Sequence, residues 1–309
     1  MNYTKILEQT TFSEIPIDYT WSFSHKTIKD TAYITHGYYT YPAKFIPQLA
    51  ARLIQENSKE GDIVIDPFMG SGTTVVESIV HNRIGIGTDI NEIAYLLSKV
   101  KTTPIKISDL LQEFSNLNFD LQSRLNGQYD YFLKKAEQIL PKNERIDYWF
   151  LPQQKEKLSI IFTRILEIKN NDIRDFFLIA FAQILKSCSI WLQKSVKPTR
   201  DLHKKIYDPL TLFLKQSKKM IKKHSEFDRL LNQNIKDNID KFRIVKCDDS
   251  RNVPCENNTA TLIVTSPPYV TSYEYADLHQ LPSMWFGYLS ELSEFRKKFI
   301  GSAYKEDRG

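Results

Sequence analysis

The residues Ser266-Pro267-Pro268-Tyr269 close a short apolar run that begins at Thr261. Two consecutive prolines remove backbone donors and fix φ, so they end a strand abruptly and leave a rigid backbone behind them. In that setting the Ser266 hydroxyl oxygen and the Pro267 carbonyl are two fixed acceptors, suited to the two hydrogens of a primary amine. Acceptors set in place beforehand give the useful kind of electrostatic help. Tyr269 adds an aromatic face on which a flat ring can stack. Carboxylates follow three other candidate strands: Asp66, Asp89 and the pair Asp248-Asp249. After the first comes the loop "DPFMGSGTT", whose Gly70 and Gly72 allow a tight turn and a close approach of backbone to ligand.

The loop lacks the Gly-Lys-Ser/Thr ending of a phosphate cradle and the third glycine of the dinucleotide fingerprint. Its carboxylates stand where an open α/β sheet binds ligands, outside the carboxyl ends of the strands. A ligand with ribose hydroxyls, an amino group and no need for phosphate contacts fits that pattern, and S-adenosylmethionine has these features. An exocyclic amine of a nucleobase is a poor nucleophile because its lone pair is delocalised into the ring. Acceptors at Ser266 and Pro267 favour a more pyramidal, more reactive nitrogen, and Tyr269 would stack on a base turned out of the duplex.

"TSPPY" and "DPFMGSGTT" together resemble the DNA amino-methyltransferases, which methylate cytosine N4 or adenine N6. "HGYYTYPAKFIPQLA" resembles that family's N-terminal cofactor motif, with Tyr41, Pro42, Ala43, Lys44 and Phe45 at the recurring positions. "GIGTDINEIA" resembles the second motif, with Asp89 as ribose ligand followed by Ile90, although Glu92 replaces the usual proline. "DDSRNVP" resembles the third, so Asp249 is the better match to the residue near the adenine amine and Asp248 occupies a glycine position. The resemblance implies a Rossmann-like S-adenosylmethionine-dependent sheet and a cofactor site at Asp66, Pro67, Phe68, Gly70, Ser71, Gly72, Thr73 and Thr74. It implies a catalytic loop at Ser266, Pro267, Pro268 and Tyr269. Serine before Pro-Pro-Tyr is the family's usual sign for cytosine N4, with adenine N6 open. RNA guanine-N2 methyltransferases share the loop and a Pro-Pro-Tyr motif, usually after aspartate. A non-catalytic DNA-binding subunit that keeps the fold is a third reading. Cytosine-C5 chemistry needs a Pro-Cys nucleophile, and Pro254-Cys255 lacks the rest of that pattern.

The elements that must position these residues read as an α/β fold. Residues 1–106 form an N-terminal arm and a cofactor-binding βαβ half. Its first forty residues look extended, and a helical spacing starts at Lys44. Residues 107–240 carry long amphipathic stretches with almost no glycine, a helical insertion. Residues 241–309 return to the sheet with the Ser-Pro-Pro-Tyr loop. Four strands are expected, near Ile63, Ile84, Ile244 and Ile263, and the sheet is incomplete by the family's standard. The expectation is a truncated chain or one part of a split enzyme completed by a second polypeptide, since a cut parallel sheet leaves an apolar edge.

Composition sets the remaining bounds. The 309 residues are 41% hydrophobic and 26% charged, with net charge +5. No apolar run approaches the roughly 18–20 residues of a membrane helix. Cys188, Cys247 and Cys255 have neither metal-ligand nor disulfide-scaffold spacing, so a cytoplasmic setting without a metal is expected. From Lys186 to Lys223 eleven basic residues face two aspartates. Within that stretch Lys194, Lys197, Arg200, Lys204 and Lys205 are the candidate contacts to double-stranded DNA, and Trp191 reads as core. Lys44 and the hydroxyls of Thr73 and Thr74 have two readings each: contacts to the cofactor carboxylate, or an exposed lysine and a helix cap. His36 shows no partner, and Tyr273 and Tyr275 are candidate walls of a base pocket. Functional pairing with a restriction endonuclease is implied by the resemblance alone.

Overall fold

The apolar run Ile63-Val64-Ile65 has no polar alternation, as a strand covered on both faces requires. In the computed structural model, which describes residues 17–42, 44, 46–195, 197–268, 275–289 and 291–298, it forms β1 (Ile63–Asp66). On one side β1 pairs with β2 (Ile84–Asp89), which is followed outward by β3 (Arg243–Cys247). On the other side lies the two-residue β4 (Leu262–Ile263). All pairings are parallel, with Val64 opposite both Gly85 and Leu262. The four expected strands are therefore the four observed, in the order β3-β2-β1-β4. Parallel alignment brings Asp66, Asp89, Asp248 and the Ser266 turn to one edge of the sheet. β4 is an edge strand, with Ile263 62% exposed.

Helices α1 (Pro47–Asn57), α2 (Thr73–Val80) and α3 (Glu92–Thr102) flank the first two strands. The helix expected from Lys44 starts at Pro47, where a proline at the first position is preorganised for helix and wastes no donor. Residues 107–240 carry α4 (Ile107–Asn126), α5 (Tyr129–Ile139), α6 (Glu144–Trp149), α7 (Pro152–Leu166), α8 (Asn171–Cys188) and, after a long loop, α9 (Pro209–Leu230), then two short turns. Their apolar faces do not close on themselves. One buried cluster joins Ile161 and Ile165 of α7, Phe177 and Phe181 of α8 and Phe213 of α9 to Leu96, Leu97 and Val100 of α3. A polar tie reinforces the join, Lys99 on α3 bonding Asp175 on α8 at 2.8 Å, while Arg243 on β3 bonds Thr103, just past α3, at 2.7 Å.

Residues 17–40 correct the expectation of an extended arm over the part that is described. Ile34–Gly37 is a buried helical turn, and Tyr38 is fully buried beside it. Polar aromatic residues can be buried when their polar atoms find partners. Tyr38 bonds His224 Nδ1 at 2.8 Å, and the other ring nitrogen of His224 lies 3.0 Å from the Ile105 backbone. Trp191 is buried as expected, stacked on Trp149. Among the described residues no helix is long and apolar enough to cross a membrane.

Candidate active site

The loop after β1 is built by its own hydrogen bonds. Gly70 and Gly72 have φ of 47° and 70°, the left-handed region where a side chain is strained. A Cβ at Gly72 would also lie 2.6 Å from Ser98 Oγ, and one at Gly70 would meet the Tyr41 ring at 3.3 Å. Asp89 accepts from the Gly70 amide and from the Asn91 amide, both at 2.9 Å. Asp66 accepts from the Phe68 amide at 3.1 Å and from the Thr265 hydroxyl at 2.7 Å, so it ties the glycine loop to the residue just before Ser266. Burial pushes both carboxyls up to about 6, against the downward pull of those hydrogen bonds.

A cleft of about 880 Å³, counted with its open mouth, runs along this edge of the sheet. Tyr41, Pro42 and Lys44 line one side, and Asp66, Pro67, Phe68, Gly70, Ser71 and Thr73 form the loop wall. Asp89 and Ile90 follow from β2, Asp249 from beyond β3, and Ser266 and Pro268 from beyond β4. Fourteen residues predicted from sequence thus meet in one space. The lining also includes Met69, Asn91, Ser250 and Lys298, which the sequence reading missed. Asn91 had a signal, since an asparagine two residues after the strand-ending aspartate can cap the next helix, and it does so for α3. Lys298 had none.

Other predicted residues sit elsewhere. Gly72 caps α2 behind the cleft, and Pro267 is exposed beside it. Thr74 neither lines the cleft nor caps α2; its hydroxyl donates to the Val264 carbonyl at 2.9 Å and fastens β4 to α2. Thr73 does line the cleft, 3.3 Å from the Ser71 hydroxyl. Asp248 turns away to Lys246 and Asn252, whereas Asp249 pairs with Arg251 at the cleft. Lys44 is partly buried rather than exposed, and donates to the His36 carbonyl at 3.0 Å. Ala43, Phe45, Tyr269 and Tyr273 lie outside the described residues, as does the Tyr275 side chain.

The candidate DNA contacts divide. Lys204 is committed inward: its ammonium donates to the carbonyls of Lys186, Ser189 and Trp191 at the end of α8, and burial lowers it to about 8. Arg200 stacks over Tyr148 at 4.3 Å. Lys194, Lys197 and Lys205 are in the exposed loop, and Lys194 also lines a second cavity beside Tyr39 and Pro42. On α9, Lys215, Lys218, Lys219 and Lys222 fall on one exposed face without an ion pair among the described residues.

The chemistry of the cleft suits S-adenosylmethionine. Of the amides from Phe68 to Gly72, four donate within the protein, and the Ser71 N–H has no acceptor among the described residues. An unmet donor, the buried carboxyls of Asp66 and Asp89 and the apolar faces of Phe68, Ile90 and Pro67 match a ligand with acceptor oxygens, hydroxyls and a flat ring.

Comparison with known proteins agrees with this chemistry. The DNA methylase family model matches residues 5–100. The type II methyltransferase M.MvaI of Kocuria varians is 32% identical over 268 residues, 83% of this chain and 58% of that protein. The type II methyltransferase M.BsoBI of Geobacillus stearothermophilus is 23% identical over 281 residues, 82% of this chain and 52% of that protein. The DNA adenine methyltransferase YhdJ of Escherichia coli is 41% identical over 59 residues, 19% of this chain and 20% of that protein. The chain spans between half and three-fifths of the length of the first two. With the family match falling on the cofactor motif, the glycine loop and α3, this chain belongs to the N6/N4 DNA methylase family.

Proposed function

We propose that this chain carries the cofactor and amine sites of a DNA methyltransferase that methylates the exocyclic N4 of a flipped cytosine. The observation that carries the reading is the convergence of Ser266 and Pro268 on the same cleft as Asp66, Asp89, Asp249 and the glycine loop. Asp89 accepts the ribose hydroxyls, Asp249 lies near the adenine amine, and Ser71 and Thr73 face the amino-acid end. Bound there, S-adenosylmethionine supplies an electrophilic methyl group. Ser266 Oγ and the Pro267 carbonyl accept the two hydrogens of the target amine and orient its lone pair. Catalysis is then mostly positioning and fixed dipoles, with no covalent enzyme intermediate.

The lysine face of α9 and the exposed lysines from Lys194 to Lys205, Lys204 excepted, supply the phosphate contacts to duplex DNA. Pairing with a restriction endonuclease belongs to the same proposal, supported by relatives named as type II methyltransferases. A second reading, adenine N6, draws on the similarity to a protein named as a DNA adenine methyltransferase. Methylating plasmid DNA with labelled cofactor and resolving the nucleosides by mass spectrometry separates the two. Recovery of N4-methylcytosine supports the first reading, N6-methyladenine replaces it with the second, and label on transfer RNA alone sinks both.

A further inference from the structure

Lys101 lines neither of the two cavities described above, and its side chain is almost entirely buried, at 2% exposure. It stands one turn after Ser98 on the face of α3 that meets the glycine loop. Ser98 Oγ donates to the Gly70 carbonyl at 3.1 Å, and Lys101 Nζ donates to the Ser71 carbonyl. A trans peptide points its N–H opposite to its C=O. Turning the Gly70 carbonyl toward α3 therefore turns the Ser71 N–H away from it, toward the cleft that Ser71 lines. On the other side of Ser71, the Gly72 N–H folds back to the Met69 carbonyl at 2.7 Å. Ser98 and Lys101 thus fix the two peptides that flank Ser71, and leave its amide, among the described residues, as the unmet donor of the loop.

Lys101 is itself oriented. His36 Nδ1 lies 3.4 Å from Nζ, and His36 Nε2 lies 2.6 Å from Glu77 Oε1. Tyr33 donates to the same Glu77 oxygen at 2.5 Å, and His81 lies 3.5 Å from the other. Burial draws Glu77 upward, but the hydrogen bonds from His36, His81 and Tyr33 outweigh it and hold the carboxyl at about 2. An ionised carboxylate only accepts, so Nε2 of His36 carries the proton and Nδ1 is left as an acceptor facing Lys101. The histidine stays neutral, its pKa lowered by burial to about 4.

We propose that Lys101, oriented by the His36–Glu77 pair, is a positioning residue that locks the Ser71–Gly72 peptide, so that with Ser98 holding the Gly70–Ser71 peptide the Ser71 N–H meets an acceptor oxygen of the bound cofactor. The identity of that ligand rests on the cofactor reading of the cleft; the loop-locking step does not. Lys101→Met keeps most of the volume and removes the donor. In the ligand-free protein, hydrogen exchange at the Gly70 and Gly72 amides should accelerate at least ten-fold, with the β1 and β2 amides unchanged. The KM for S-adenosylmethionine should rise at least ten-fold while kcat stays within three-fold. His36→Leu leaves Lys101 in place without its orienting acceptor, and should give a smaller effect of the same pattern. Adding it to Lys101→Met should not accelerate loop exchange further. Unchanged loop exchange in Lys101→Met overturns the proposal, as does acceleration spread evenly over the sheet. Should the wild-type chain bind no S-adenosylmethionine, the reading of the cleft falls, while the exchange comparison still decides the role of Lys101.

Discussion

Asp89 offers a direct test of the cofactor site through protons. In the ligand-free protein burial holds its carboxyl at about 6, against a usual value of 3.8. Hydroxyl groups donating to the carboxylate favour its charged form, so a bound ribose draws the pKa back down. For a return to about 4, binding releases about 0.5 proton from this residue at pH 6, about 0.8 at pH 5 and about 0.1 at pH 7. Calorimetry of S-adenosylmethionine binding in buffers of different ionisation enthalpy reads this number directly. Asp89→Asn should remove it and weaken binding at least ten-fold. Its folding stability should change little. A raised carboxylate pKa means the folded protein loses stability through this group as pH rises from 3.8 to about 6, at most about 3 kcal/mol by pH 7. Removing the charge returns that amount. Asparagine, however, has one oxygen for the two amides of Gly70 and Asn91, and the orphaned donor costs about 1–3 kcal/mol. The two effects oppose each other. Proton release below about 0.1 at pH 6, or release unchanged in Asp89→Asn, refutes the argument.

Ser266→Ala should lower methyl transfer at least a hundred-fold with cofactor affinity within two-fold; near-normal turnover removes Ser266 from the amine site. Thr74→Val deletes the bond from α2 to the Val264 carbonyl and should cost about 1–3 kcal/mol in urea unfolding, because a buried carbonyl loses its partner. Changing Lys215, Lys218 and Lys222 together to glutamine should reduce the slope of log affinity for duplex DNA against log salt by about 2.7, if all three meet phosphates. An unchanged slope clears α9 of that role. His279 is fully buried, both ring nitrogens have no partner among the described residues, and burial lowers its pKa to about 4. The unfolded chain therefore takes up its proton first, and stability is lost as pH falls from 6.5 toward 4. His279→Phe keeps a ring against Tyr41 and should recover about 2 kcal/mol at pH 5 relative to pH 8, read from unfolding at the two values.

The residues that line the cleft were legible because they come in short contiguous runs at the ends of strands, where order along the chain maps onto position in space. Asp66 to Thr73 and Asp89-Ile90 are such runs. β3 and β4 were weaker signals, since β4 has two residues and an exposed Ile263, yet the carboxylates and prolines after them marked the edge. What stayed hidden was assembled from distant places. Glu77, His36 and Lys101 lie dozens of residues apart, and although His36 opens the stretch that resembles the cofactor motif, nothing in that stretch marks Glu77 or Lys101 as its partners. The polar aromatic segment before Tyr41 looked extended for the same reason: the partners that allow Tyr38 and His36 to be buried are His224 and Glu77. Lysine counts could not distinguish Lys204, which closes the end of α8, from the lysines that α9 leaves in solvent.

α3 has a consequence for how such enzymes diversify. One face holds the glycine loop through Ser98 and Lys101; Lys99 grips Asp175 of the helical segment, and Leu96 and Val100 enter its core. A lineage that acquires a new helical segment by exchange cannot accept an arbitrary replacement. The incoming piece must supply a carboxylate for Lys99 and a matching apolar seat for α3, or the cofactor loop shifts with the graft. Exchange points that keep α8 and α9 native and vary only the loops between the helices should therefore yield active chimaeras more often than whole-segment transplants.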